Sequence, residues 1–229
     1  MSQLFDDVAG KFANDIDLAI NKGVYVRGDL FVGLAREAIP AGAYVLDYGC
    51  GPGRLSLMLA RSGFNIRGVD TSDGMIQQAR SLDQKTLKIE FDTIEKFDQA
   101  LQPDTFDAIV CSSVIEYVAD PDELLQGFHR ALRKPGALII SYANQSSYWR
   151  KRWAREEAAA NPMGPSQHHV WDWSGFRSLL KKNGFETTTQ PKFYESPWDH
   201  RPWGAWARNS SLIGSLGVVA ARSVPLKAA

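Results

Sequence analysis

Between Val45 and Arg54 the chain reads Val45-Leu46-Asp47-Tyr48-Gly49-Cys50-Gly51-Pro52-Gly53-Arg54, and no other stretch restricts the fold as tightly. An apolar run of strand length enters three alternate glycines and leaves as the opening of a helix. Glycine suits this turn because the backbone must bend sharply and admit a ligand with no Cβ in the way. A second apolar run ends in Val69-Asp70, 21 residues after Gly49. A carboxylate at that strand end can accept hydrogen bonds from a ribose diol, as in nucleotide-binding Rossmann units.

The flanking pattern extends this unit into a sheet. Short apolar runs at 44–48, 66–69, 87–91, 108–111 and 137–142 predict strands, with helical spacing around 54–62, 73–82 and 120–133 between most of them. Near-continuous apolar strands alternating with helices predict a mostly parallel sheet covered on both faces. Residues 1–40 carry helical spacing through Leu4, Phe5, Val8, Phe12, Leu30, Leu34 and Ile39, and stop at Pro40-Ala41-Gly42. Lys134-Pro135-Gly136 reads as the end of one helix and the turn into the fifth strand. The rhythm breaks after 143; beyond the break, 174–183 reads as a helix capped by Gly184. Strand-like segments follow near 185–194 and 216–222. The expectation is one Rossmann-like α/β domain over 1–229 with a seven-stranded, mostly parallel sheet and helices on both faces. Its parts are an N-terminal helical cap at 1–40, a cofactor-binding core at 41–143, a cap insertion at 144–172, and a C-terminal helix and strands at 173–229. At 229 residues one enlarged domain fits better than two.

The residues around the turn narrow the ligand. A dinucleotide site uses G-x-G-x-x-G, and its third glycine, counted from Gly49, would stand at Arg54. No Lys-Ser or Lys-Thr follows the glycines, so the P-loop pattern is absent. Asp47, just ahead of the turn, would repel a pyrophosphate and suits a ligand carrying an ammonium and a sulfonium. A purely structural strand–turn–helix is the alternative, and it leaves Asp47 and Asp70 unexplained.

On these residues the chain resembles the class I S-adenosylmethionine-dependent methyltransferases. The segment Val45–Arg54 is similar to their first motif, and Gly68-Val69-Asp70-Thr71-Ser72 to the acidic motif that follows. The likeness continues through Phe106-Asp107-Ala108-Ile109-Val110-Cys111-Ser112-Ser113 and Ile115-Glu116-Tyr117-Val118. It ends in Leu132-Arg133-Lys134-Pro135-Gly136-Ala137-Leu138-Ile139-Ile140, in the family's order and spacing over 40–143. Within the family the chain looks most like small-molecule enzymes of the ubiquinone-biosynthesis type. The resemblance implies S-adenosylmethionine as cofactor, S-adenosylhomocysteine as product, and a biosynthetic small-molecule acceptor methylated at oxygen or nitrogen. It implies that Asp47, Gly49, Cys50 and Gly51 surround the methionine part and that Asp70 binds the ribose hydroxyls. Thr71 and Met75 would flank the adenine, with ordinary helix packing the alternative for Met75. Asp92 and Thr93 match an acidic adenine-side position, and Ser112 would offer backbone contacts to the amino-acid end. Arg27 sits where related enzymes place a cation for the methionine carboxylate; a solvated surface arginine is the alternative. Some relatives carry a Tyr-Asp pair in the first helix, where this chain has Phe12-Ala13, so no hydroxyl contact carries over there.

Methyl transfer from a sulfonium is an in-line displacement, helped chiefly by holding acceptor and methyl in near-attack geometry. An oxygen acceptor also needs a base, and the candidates are sparse. His168-His169, beside Trp171 and Asp172 at the end of the 144–172 segment, is the paired imidazole; Glu116 lies just past the fourth strand. A loop or capping role is the competing reading for each histidine. The aromatics and arginines of the insertion, Tyr148 through Arg155, could wall an apolar pocket, bind an anionic acceptor, or form an amphipathic helix packed on the domain.

Composition sets the remaining bounds. Lys and Arg number 26 against 26 Asp and Glu, which argues against a dedicated nucleic-acid surface. Two cysteines, Cys50 and Cys111, make no disulfide framework or metal spacing, and no metal is expected. No apolar stretch approaches the length of a membrane span and no signal peptide is read, so the expected setting is cytoplasmic. The expected partner is a small-molecule acceptor, with the chain a monomer or homodimer. Transfer of another group from a related sulfonium donor, or a non-catalytic cofactor-binding paralogue, are the competing functions.

Overall fold

The computed structural model describes residues 9–11, 13–18, 25–82, 87–95, 97–152, 155, 169–196, 199 and 208–226. Five strands, β1 (Tyr44–Tyr48), β2 (Asn65–Asp70), β3 (Ile89–Thr93), β4 (Phe106–Cys111) and β5 (Leu132–Ala143), pair in parallel in the order β3-β2-β1-β4-β5. Beyond β5 lies β8 (Leu216–Ser223), the reversed strand, antiparallel to β5 along seven residue pairs. Both β6 (Phe185–Thr187) and β7 (Lys192–Tyr194) pair antiparallel with β8.

The sheet thus has eight strands where seven are expected. The segment read as one strand at 185–194 is two, because Pro191 has no N–H to donate to a ladder and interrupts it. A second correction concerns Lys134-Pro135-Gly136, which lies inside β5 rather than ahead of it. The β4–β5 register shifts there, between the Phe106↔Leu132 and Ala108↔Ala137 pairs.

Strand alternation sorts the apolar residues into two layers. Leu46, Ile109, Leu138 and Ile140 face one side, where α4 (Pro121–Ala131) and α5 (Trp173–Lys182) cover them with Leu125, Phe128, Phe176 and Leu180. Val45, Ala108, Val110 and Ile139 face the other, packed by Phe31 and Leu34 of α1 (Val26–Ala38) and Leu55 and Leu59 of α2 (Arg54–Arg61). On the same sequence logic α3 (Asp73–Arg80) follows β2. Helix starts are fixed locally: the side chains of Ser72, Asp120 and Asp172 accept the first free N–H groups of α3, α4 and α5.

Residues 9–11 and 13–18 are helical, as expected of the N-terminal segment. Of the insertion at 144–172, the described ends are pinned side by side. Gln145 N–H donates to the Trp171 carbonyl and Trp171 N–H to the Ala143 carbonyl, so the segment leaves and rejoins the sheet at one point above β5.

Candidate active site

Chain order reverses between β1 and β4: the connections from β1 run outward through β2 to β3, then return to β4. At such a switch point the loops beyond the strand ends part and leave a crevice. Here the crevice is a cavity of about 620 Å³. Its floor is the glycine turn. The N–H groups of Gly49 and Cys50 both donate to the Val69 carbonyl, at 2.8 and 2.9 Å, tying the turn to the end of β2. Asp70 completes the tie: one carboxylate oxygen accepts from Gly51 N–H and the other from Ser72 N–H, each at 2.9 Å.

Two glycines explain the spacing of the motif. Gly49 has φ +73°, and a Cβ there would stand 2.3 Å from Cγ2 of Val114, so the turn closes against the segment after β4 only without a side chain. Gly51 has φ +53° and lines the cavity; a Cβ there would meet no atom of the described residues within 4 Å. The space beside it is room for a ligand lying on the backbone.

Of the residues singled out from sequence, Arg27, Asp47, Gly49, Cys50, Gly51, Asp70, Thr71, Met75, Thr93 and Ser112 line this one cavity. Asp92 does not. Side chains alternate along a strand, so with Thr93 turned to the cavity its predecessor points away, and Asp92 pairs with Arg67 of β2 at 3.1 Å. The acidic side chain this segment does bring to the cavity is Glu95, two residues past the strand end at Thr93. Ser113, Tyr25 and Tyr117 also line the cavity and went unremarked as cofactor contacts. The signal for Ser113 was present in the repeated Ser112-Ser113 after β4. Both hydroxyls are buried without a hydrogen-bond partner among the described residues, and Ser113 holds a left-handed φ of +56°.

Asp47 is 1% exposed, and among the described residues its carboxyl has one hydrogen-bond donor, the Ser56 hydroxyl at 2.5 Å. Burial pushes it up to about 7, against the Ser56 hydrogen bond and with the charge of Asp70 adding to the rise. Such a group lacks a counter-charge, and the ammonium of an amino-acid ligand would supply one.

The expected bases fall elsewhere. His168 lies outside the described residues. His169 is not in the described lining of this cavity; its backbone N–H donates to the Glu116 carbonyl at 3.1 Å and its ring stacks on Trp171 with centroids 5.5 Å apart. Glu116, expected on the open edge of the sheet, is wholly buried in the 3₁₀ turn Ile115–Tyr117, and neighbouring Tyr117 takes the cavity face. Both Glu116 carboxylate oxygens lack a hydrogen-bond partner among the described residues. Burial pushes this carboxyl up to about 7, only partly offset by its own backbone N–H and then by the charges of Arg27 and Arg150.

Arg27 is the hinge between two spaces. Its guanidinium pairs with Glu195 and lies over the Tyr194 ring, 5.9 Å from the centroid. It lines the main cavity and also a second one of about 160 Å³. Arg54, where a dinucleotide site would need its third glycine, is 8% exposed. It donates to the Pro52 carbonyl at 2.9 Å and clasps both oxygens of Asp17 in the N-terminal helical segment.

The family model of the methyltransferase domain matches residues 25–190, a span that contains the glycine turn, Asp70 and the loop after β4. The chain belongs to that family. This methyltransferase-family chain is 35% identical over 115 residues to the ubiquinone biosynthesis O-methyltransferase of Xanthomonas campestris pv. campestris (strain B100), covering 49% of this chain and 47% of that one. It is 30% identical over 183 residues to the mitochondrial ubiquinone biosynthesis O-methyltransferase of Homo sapiens, covering 75% of this chain and 48% of the human protein. The chain spans about half the length of these two relatives. Among solved structures, a SAM-dependent methyltransferase of Thermotoga maritima, described as a possible histamine N-methyltransferase, has the same fold. It superimposes with a TM-score of 0.66 at 19% identity, covering 97% of this chain and all of that one. No helix of the described residues is long and apolar enough to cross a membrane.

Proposed function

We propose that this chain transfers the methyl group of S-adenosylmethionine to an oxygen or nitrogen of a small molecule in a biosynthetic pathway and releases S-adenosylhomocysteine. The observation that carries the reading is the cavity itself: Asp47, Asp70 and a left-handed glycine turn line it together with Ser112 and Ser113, whose hydroxyls have no hydrogen-bond partner among the described residues. Family membership and the names of the two relatives support it. The buried carboxyl of Asp47 fits an ammonium, the open face of Gly51 fits a ligand lying on the backbone, and Asp70 lines the cavity at the strand end where a ribose diol would meet it. When bound, S-adenosylmethionine supplies an electrophilic methyl on a sulfonium. The chain's contribution is to fix that ligand between Asp47 and Asp70, with Thr71, Met75, Thr93 and Ser112 around it, and to hold the acceptor in line.

Glu116, buried and outside the cavity lining, is proposed as a positioning residue rather than as the base. It is a buried carboxyl poised near neutrality, in the turn that carries Tyr117 onto the cavity. His169, stacked on Trp171, then serves to seal the 144–172 segment, and His168 is left as the candidate base. Two buried free thiols, Cys50 and Cys111, accord with a cytoplasmic setting, and the balanced charge with a small-molecule partner rather than nucleic acid.

The test begins with binding. S-adenosylhomocysteine should raise the thermal unfolding temperature and NAD should not. Asp70→Ala should weaken cofactor affinity by about 1.5–3 kcal/mol for each charged hydrogen bond lost to the ligand, and more if the glycine turn loosens with it. Protection by NAD alone overturns the reading. Glu116→Gln should change turnover by less than about tenfold and leave the pH–rate profile in place, because a group outside the cavity takes no proton from the acceptor. Loss of a rise in rate through pH 7 would return Glu116 to the proton path.

A further inference from the structure

The second cavity has a lining the proposed reaction has not used. Its walls are Ile16, Tyr25, Arg27, Tyr194, Glu195 and Asp199, with Val26 beneath. Ile16, Tyr25 and Arg27 line the main cavity as well, so the two spaces meet at these three side chains. Its volume of about 160 Å³ suits one ring or a short branched chain, not a second nucleotide. It lies on the Arg27 side of the site, away from Thr93 and Met75 where an adenine would rest.

The polar side chains of this wall are arranged for one sign of charge. Among the described lining residues the one cation, Arg27, pairs with Glu195 and rests on the Tyr194 ring. Glu195 is held in place deliberately. It has a left-handed φ of +59°, which costs energy for a non-glycine residue, and its N–H donates to Asp199 at 2.7 Å. The Ser196 hydroxyl donates to the other oxygen of Asp199 at 2.6 Å, so the Asp199 carboxylate is fixed beside the Glu195 backbone. Arg208 reaches this corner only through the Asp199 carbonyl and is not in the lining. The described lining therefore carries Arg27 against Glu195 and Asp199, two aromatic rings, and two aliphatic side chains. With Glu195 and the Tyr194 face engaged by Arg27, the described lining leaves the Asp199 carboxylate beside Tyr25, and a carboxylate next to an aromatic ring is chemistry that recognises an organic ammonium. An anionic group would have to displace Glu195 from Arg27 and face Asp199 unpaired.

We infer that this smaller cavity takes a positively charged amine head group of the acceptor, and that Glu195 sets that preference by neutralising Arg27. The inference rests on the reading of the main cavity as the methyl-donor site, and the experiment separates the two. The full chain, saturated with S-adenosylhomocysteine, is titrated by calorimetry with benzylamine, benzyl alcohol and benzoate, three ring compounds of one size and different charge. Benzylamine should bind at least about tenfold more tightly than benzoate, with benzyl alcohol between them. Glu195→Gln should reverse the order, weakening benzylamine and strengthening benzoate by about tenfold each, because Arg27 then faces the cavity unpaired. Benzoate favoured in the unmodified chain, or three equal affinities, overturns the inference whether or not the variant folds. Failure of S-adenosylhomocysteine itself to bind overturns the reading beneath it.

Discussion

A carboxyl buried as deeply as Asp47 resists ionisation until a cation sits beside it, and this gives the site a measurable pH dependence. Without the ligand it titrates at about 7; the ammonium of bound S-adenosylmethionine favours the charged form. Binding below about pH 7 must therefore release a proton, and affinity should rise with pH up to about 7 and then level, by at most about tenfold per pH unit. Calorimetry in two buffers of different ionisation enthalpy reads the proton directly, and Asp47→Asn should remove both the release and the slope. Equal heats in the two buffers would exclude Asp47 as the ammonium partner. Residue identities in this part of the site were legible because they lie within a few positions of the glycines. Asp92 stands outside the lining because side chains alternate along the strand, and Thr93 and Glu95 hold the places toward the cavity.

The element that closes the site is tied down by a contact 37 residues long in sequence. Arg54, the first residue of α2, clasps Asp17 of the N-terminal helical segment, whose Ile16 lines both cavities. Asp17 is about two-fifths exposed, so the pair adds about 1 kcal/mol or less to stability; its larger effect is to hold the segment over the cavity. Asp17→Asn should leave the fold intact, speed dissociation of S-adenosylhomocysteine by about 3–10-fold, and raise amide exchange in residues 13–18. Stopped-flow release at an unchanged rate would show that the clasp does not gate the ligand. From sequence, Arg54 registered only as a missing glycine. A partner so distant along the chain leaves no local pattern, whereas the caps Ser72, Asp120 and Asp172 are legible because each acts within three residues of itself.

Across the molecule, two buried carboxyls couple folding to pH. Asp47 and Glu116 both titrate at about 7 in the folded chain, above their ordinary values of 3.8 and 4.5. Between those limits the folded state binds more protons than the unfolded one, so stability falls as pH rises from about 4 to 7, by at most about 1.4 kcal/mol per pH unit for each group. Thermal unfolding of the ligand-free chain should follow that slope, and Glu116→Gln should remove its share; a melting temperature that climbs over the window contradicts both burials. Sequence by itself determined the alternating layers, the glycine turn and the acidic residue after β2, because strand and helix periodicity and glycine's freedom at positive φ are local properties of the chain. Tertiary structure decided the rest. It split 185–194 at Pro191, drew Pro135 into β5, sank Glu116 behind Tyr117, and set Arg27 against Glu195, 168 residues away. Each of those outcomes depends on which surfaces pack together and exclude water, and no run of neighbouring residues records that.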